Sequence, residues 1–214
     1  YIKKVGTGPK GNEDLSFEEA QNVMEKLLDH NISDVQKASF LIGWRLKPET
    51  NEEYRGALNA VYEKTRISLL ENTFELGFPF DGKNNSPYLF PLVAKLLKMK
   101  GVTLVVTGDE RIPAKKGVTV KMIHDKIGHT PLADSYRYFD RATYLPELSE
   151  LSELRNQIGL RTALNTLEKF SKVSGSMFGA SGVFHKPYVE KYSNVFSDQL
   201  TSFLLMGGNE GTPE

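Results

Sequence analysis

The chain has 214 residues, 39% hydrophobic and 25% charged, with 27 Lys/Arg against 27 Asp/Glu. That is ordinary globular composition, long enough for a sizeable core and for one large domain or two small ones. The absence of cysteine excludes a disulfide framework, thiolate metal sites and a cysteine nucleophile; it fits a reducing, cytoplasmic setting, and no apolar run approaches the roughly 20 residues that span a bilayer.

The first residues carry Gly6-Thr7-Gly8-Pro9-Lys10-Gly11, a literal G-x-G-x-x-G. The nucleotide-binding form of that motif follows a strand and opens a helix. Here only five residues precede it, and Pro9 removes an amide that would face phosphate. The segment therefore reads as a flexible N-terminal arm. A start at Tyr1 rather than Met carries the expectation of processing or of a fragment. Capping boxes follow at Ser16-Phe17-Glu18-Glu19, Ser33-Asp34-Val35-Gln36 and Thr50-Asn51-Glu52-Glu53. Phe17, Ala20, Met24, Leu27 and Leu28 recur at helical spacing after the first. The second helix runs to about Leu46 and stops before Pro48; the third passes through Tyr54, Leu58 and Val61. Together they predict a helical domain over 12–68.

The character then changes. β-branched and apolar runs at 73–78, 102–107, 176–183 and 202–206 alternate with helical patterns at about 87–99, 118–127 and 186–197. Such alternation predicts βαβ units and a mainly parallel sheet. Ligands of these sheets collect at the carboxyl ends of the strands, which directs attention to the loops after Phe78, Thr107 and Met206. Asp81-Gly82-Lys83-Asn84-Asn85-Ser86 follows the first strand. It reads either as an amide cradle for an anion or as a plain turn with Ser86 as N-cap and Pro87 at the first helical position. Gly108-Asp109-Glu110-Arg111 follows the second strand, then Lys115, Lys116 and Gly117, with Lys121 on the next helix. Arg and Lys there suit phosphate, while Asp109 and Glu110 are a weak metal signal beside the commoner reading of exposed charge.

From Lys83 to Lys126 there are nine Lys/Arg against three Asp/Glu, whereas the first 76 residues have ten against thirteen. The basic middle segment points to an anionic partner, or is a solvated lysine surface. Tyr136-Arg137-Tyr138-Phe139-Asp140-Arg141 mixes rings with charge, as base-stacking surfaces do and as an alternating strand does equally. Pro146 opens a helix whose stripe is Leu148, Leu151, Leu154 and Ile158, with Gly159 as C-cap and a second helix at about 160–171. This pair is expected to return to the helical domain. His30, His124, His129 and His185 have no zinc-ligand spacing, and no G-x-S-x-G elbow supports a hydrolase.

The stretches 13–53, 159–169 and 183–196 resemble the anthranilate phosphoribosyltransferase family (glycosyltransferase family 3), and 2–11 and 78–92 resemble its second, divergent paralogue group. The resemblance spans essentially the whole chain. It implies a small helical domain, 1–70 joined by inserted helices at 147–172, and a larger α/β domain, 71–146 and 173–214, with a mainly parallel sheet. It also implies a homodimer joined through the helical domains. In the enzymes, phosphoribosyl pyrophosphate binds with magnesium between the domains, and an aromatic amine displaces pyrophosphate.

The departures from that pattern bear on activity. The enzymes' G-T-G-G-D is here Gly77-Phe78-Pro79-Phe80-Asp81, so glycines that let backbone approach pyrophosphate are replaced by bulky or cyclic residues. K-H-G-N is here Val106-Thr107-Gly108-Asp109, without the lysine; the serine phosphate contacts fall near Lys115 and Lys116; the acidic magnesium pair falls on Pro213-Glu214. The ligand contacts so implied are Asp81, Gly82, Asn85, Ser86, Gly108, Arg111, Lys115, Lys116, Arg161 and Asn165, with Glu214 as the metal ligand and magnesium as cofactor if the protein is active. Arg161 matches the arginine that faces the aromatic amine, or serves as an ion pair between domains. The chain stops just after what should be an interior strand, which carries the expectation of a truncated α/β domain. The expected function is a divergent, non-catalytic paralogue that binds a polyanion such as single-stranded nucleic acid. An active magnesium-dependent phosphoribosyltransferase is the alternative, and a nucleoside phosphorylase ranks below both.

Overall fold

The computed structural model of the chain describes residues 1–111 and 116–213. The N-terminal helices are α1 (Ile2–Gly6), α2 (Phe17–Leu27), α3 (Asp34–Leu46) and α4 (Asn51–Lys64). Ser16 with Glu19 and Thr50 with Glu53 form complete capping boxes, while Ser33 caps α3 by accepting from the Gln36 amide. Each such cap stabilises its helix by about 1 kcal/mol. Buried Glu53 does more than cap. It accepts from the Leu15 amide at 2.8 Å and from the Trp44 indole at 3.0 Å, which ties the starts of α2 and α4 to α3. The expected flexible arm is corrected in part: residues 2–6 are helical, because Val5 buries its side chain against Gly43 of α3 and Lys4 bonds Glu19 at 2.6 Å.

The α/β part follows in the order β1 (Thr73–Gly77), α5 (Phe90–Lys98), β2 (Thr103–Gly108), α6 (Val120–Ile127), β3 (Tyr136–Asp140), α7 (Arg141–Tyr144), α8 (Pro146–Ile158), α9 (Leu164–Leu167), β4 (Phe178–Val183), α10 (Pro187–Phe196) and β5 (Ser202–Gly207). The strands form one sheet in the order β3-β2-β1-β4-β5, every neighbouring pair parallel. A parallel sheet needs cover on both faces. Leu76, Leu104, Val106 and Tyr136 pack under α5 and α6, while Val105 on the opposite face joins Phe170, Val173 and the core of the N-terminal helices. Helices α8 and α9 pack against α3 and α4, so the two late helices return to the N-terminal ones.

Two local expectations change. Ser86 and Pro87 do not open a helix; α5 begins at Phe90, with no side-chain cap at Leu89. The Tyr88 hydroxyl donates to the Val118 carbonyl at 2.8 Å, and the rings of Phe78, Tyr88 and Phe90 meet edge-on, which keeps the preceding residues in a loop. The second late helix spans Leu164–Leu167 rather than 160–171. It stops there because Glu168, Lys169 and Phe170 turn inward to buried partners on the sheet side. In the ring-and-charge segment, 136–140 is β3, whose last residue Asp140 is the N-cap of α7, and Arg141 opens that helix.

Candidate functional site

The carboxyl ends of β1, β4 and β5 open into a cleft of ≈160 Å³ between the sheet, α3–α4 and the 161–169 segment. Its walls include Asp81, Arg161, Asn165 and Glu210, with Arg45 and Lys169 adding positive charge and Tyr188, Tyr192 and Phe184 adding aromatic surface. The sequence directed attention to this edge because every strand of a parallel sheet aims its end the same way.

The loop after β1 is held rigidly. The Gly117 amide donates to the Asp81 carbonyl at 2.9 Å, and Lys83 and Val118 exchange amide–carbonyl bonds at 3.0 and 2.9 Å. Gly82 sits at φ +74, and a Cβ there would lie 2.5 Å from the Val118 carbonyl oxygen, so only glycine fits. The buried Asp81 carboxylate accepts from Arg161 Nε at 2.7 Å and Nη2 at 2.6 Å. Asn165 turns inward on its own segment, accepting from the Thr162 amide at 3.0 Å. Asn85 contributes its amide, which donates to Glu210 Oε2 at 2.9 Å, beside the Asn84 amide on Oε1 at 2.8 Å. The amides that could cradle an anion thus hold a carboxylate of the chain itself.

The end of β2 is closed differently. Gly108 lies against the ring of Tyr138, where a Cβ would come within 2.9 Å. Asp109 is not an exposed metal ligand: it is buried, accepting from the Arg111 amide at 2.8 Å and from Arg141 Nε at 2.7 Å. Arg141 also bonds Glu168 and donates to Ser152 at 2.8 Å, and its guanidinium lies 4.3 Å from the Phe80 ring centre. Arg155 clasps Glu168 with two bonds of 2.7 and 2.9 Å. Burial would push the Glu168 carboxyl up, but the Arg155 and Arg141 guanidiniums overcome it and hold the group below the usual carboxylate range. Two guanidiniums and two carboxylates therefore fill the crevice between β2 and the late helices.

Of the other expected contacts, Arg111 and Lys116 are exposed and do not line the cleft. Ser86 is half-buried in the loop before α5. Lys115 and Glu214 lie outside the described residues. Glu210, Lys169, Arg141, Arg155 and Glu168 were not picked from the sequence. Glu210 follows β5 in a tight turn that no motif marks, and a buried charge looks like a surface charge until its partners are known.

The described residues contain no cluster of three or more Asp, Glu or His that could hold a metal. Asp81 is bonded to Arg161, and Glu210 to the Asn84 and Asn85 amides. No helix among the described residues is long and apolar enough to cross a membrane.

Comparison with known proteins gives the arrangement its context. Residues 1–65 match the family model described as glycosyl transferase family, helical bundle domain. An uncharacterized protein of Aquifex aeolicus is 33% identical, over 98% of this chain and 68% of its own length. The uncharacterized protein YbiB of Escherichia coli is 26% identical, over 98% and 70%. The anthranilate phosphoribosyltransferase of Persephonella marina is 26% identical over 92% of this chain, which spans 60% of that enzyme. Among solved structures, the Thermus thermophilus anthranilate phosphoribosyltransferase superposes with a TM-score of 0.74 at 20% identity, covering 97% of this chain and 66% of that one. A yeast anthranilate phosphoribosyltransferase variant with Mg bound gives 0.68 at 16%, covering 100% and 65%. At those identities the structural likeness speaks for the fold, and the chain spans about two thirds of the length of these relatives. Helical bundle, parallel sheet and relatives agree: this chain belongs to the anthranilate phosphoribosyltransferase-like family, glycosyltransferase family 3.

Proposed function

We propose that this chain uses the family's fold to bind a polyanion, single-stranded nucleic acid, rather than to transfer a phosphoribosyl group. The observation that carries the reading is that the chain's own groups close both strand-end loops. Glu210 covers the Asn84 and Asn85 amides, and the Arg141–Glu168–Arg155–Asp109 network fills the end of β2. The outer layer of the molecule stays open by contrast. Lys95, Lys98 and Lys100 at α5, Lys126 on α6, Arg111 and Lys116 near the β2 loop, and Arg137 on β3 are all exposed. Solvated lysines cost little to bring against phosphates and release counterions as they do so.

The test is titration of a fluorescent single-stranded oligonucleotide at two salt concentrations, with the Lys95→Glu/Lys98→Glu variant alongside. Affinity is expected to fall about 10-fold or more between 50 and 200 mM salt, and the variant to bind weakly with a shallower salt slope. Binding that ignores both salt and the substitutions would overturn the reading. Magnesium-dependent phosphoribosyl transfer to an aromatic amine is the second reading, supported by the convergence of Asp81, Arg161 and Asn165 on one cleft. Calorimetric titration with phosphoribosyl pyrophosphate and magnesium decides it: heat that requires the metal would restore the transferase.

A further inference from the structure

We infer that Glu210 is an internal latch: its carboxylate occupies an amide cradle that would otherwise accept a phosphate group, and the chain thereby keeps phosphate ligands out of its own cleft. The inference rests on the closed-loop reading above and adds a cause and a reversal to it.

The geometry begins with the two amides. Asn84 and Asn85 are consecutive, and each donates to a different oxygen of the same carboxylate, at 2.8 and 2.9 Å. Adjacent amides converging on one anion, just after the left-handed Gly82, make the kind of backbone concavity that binds phosphate oxygens. A carboxylate held there is chemically a tethered stand-in for a free anion.

The backbone of Glu210 supplies the independent observation. Its φ is +63, a left-handed conformation that a long side chain adopts only under constraint from its surroundings. Backbone contacts around the turn supply such a constraint. The Gly208 amide donates to the Val183 carbonyl at 3.3 Å, the Gly211 amide to the Gly208 carbonyl at 3.2 Å, and Lys169 Nζ to the Gly211 carbonyl at 3.2 Å. Gly182 and Gly208 also press directly on the Thr212 backbone, where a Cβ on either would collide. The turn is therefore held by backbone contacts of its own. Its effect is to aim that side chain across the strand ends into the loop after β1. A turn that accepts strain in order to present a carboxylate to two amides marks a device rather than an accident of packing.

The ligand class follows from the donors. Phosphate offers more charge and more acceptor oxygens than a carboxylate, so it competes for the same amides, but against a group whose local concentration is fixed by its tether. Removing the tether lifts that competition.

The experiment compares full-length wild type with Glu210→Gly and Glu210→Asn. Both substitutions tolerate the left-handed backbone, so the turn keeps its shape. Each protein is titrated calorimetrically with inorganic pyrophosphate without added metal, and the Asn84 and Asn85 amide resonances are followed by NMR. Both variants are expected to bind pyrophosphate at least tenfold more tightly than wild type, with the two amides shifting on binding. Equal affinity in all three proteins, or no binding by either folded variant, overturns the latch. Oligonucleotide binding by the wild type is read separately: its absence counts against the surface-lysine reading, and the latch stands or falls on pyrophosphate alone.

Discussion

Glu75 offers a sharp test of how the two parts of the molecule meet. It lies on the central strand β1, on the face turned toward the N-terminal helices, and is 1% exposed. Neither carboxyl oxygen makes a well-formed hydrogen bond, and Tyr62 of α4 and Tyr144 of α7 stand near it with buried hydroxyls. Burial pushes its carboxyl from the ordinary 4.5 up to about 7, with the nearby Lys172 and Ser171 amides and the Lys172 charge only partly opposing this. Because the folded value is the higher one, the unfolded chain gives up its proton first as pH rises. Stability therefore carries no cost from Glu75 below about 4.5, falls between 4.5 and about 7, and is flat above that. At about 1.36 kcal/mol per pH unit, the full cost at pH 8 is about 3 kcal/mol. Glu75→Gln keeps the shape and removes the titration. Its amide imposes a constant offset, so the quantity to read is the change in the difference between variant and wild type with pH. Urea unfolding at pH 4.5, 6 and 8 is expected to show the variant gaining about 3 kcal/mol relative to wild type across that range. The histidines cancel in the comparison, and Tyr62 and Tyr144, both pushed well above the ordinary tyrosine value by burial, stay neutral throughout. Parallel curves at the three pH values would refute the argument.

Two further outcomes are expected. Arg141→Met leaves the buried Asp109 carboxylate without a guanidinium and Glu168 with Arg155 alone, and should cost about 3–5 kcal/mol in urea unfolding at pH 7; a loss under about 1 kcal/mol would mean the network does not carry the charge as its geometry implies. Gly82→Ala combines φ +74 with a Cβ 2.5 Å from the Val118 carbonyl, so thermal unfolding should show a loss of about 2 kcal/mol or more, and an unchanged midpoint would sink the account of this loop.

Much of the fold was legible because it depends on local signals. The boxes at Ser16, Ser33 and Thr50 appear as caps, and Gly159 closes α8 at φ 71 as its position predicted. The strands at 73, 103, 178 and 202 were legible as apolar runs because a parallel sheet buries both faces. What failed depended on contacts distant in sequence. Ser86-Pro87 has the chemistry of a helix start, but Tyr88 reaches 30 residues ahead to Val118 and the segment stays a loop. The N-terminal helix is too short to announce itself, and exists because Val5 finds a place on α3. In the site, Asp81 and Asn85 were singled out because the loop after a strand is a local feature, and Arg161 and Asn165 because the resemblance implied them; Asp81, Arg161 and Asn165 line one cleft, while Asn85 meets Glu210 beside it. Glu210 and Glu168 were not, since nothing in the sequence says which of 27 acids turn inward.

That division between interior and surface charge bears directly on what the molecule can bind. Catalysis requires charged groups that bind the transition state more strongly than the ground state, and hence groups whose bonding is still open when the ligand arrives. Arg141, Arg155, Asp109 and Glu168 are instead bonded to one another and sealed from water. A ligand recruiting Arg141 would have to leave Asp109 buried without its guanidinium partner, at a cost of about 3–5 kcal/mol before any gain. Exposed Lys95, Lys100 and Lys126 carry no such debt and exchange water for phosphate almost freely. Closed strand ends and a basic outer layer are the two features on which the proposed binding of an extended anion rests, and the oligonucleotide and pyrophosphate titrations test them separately.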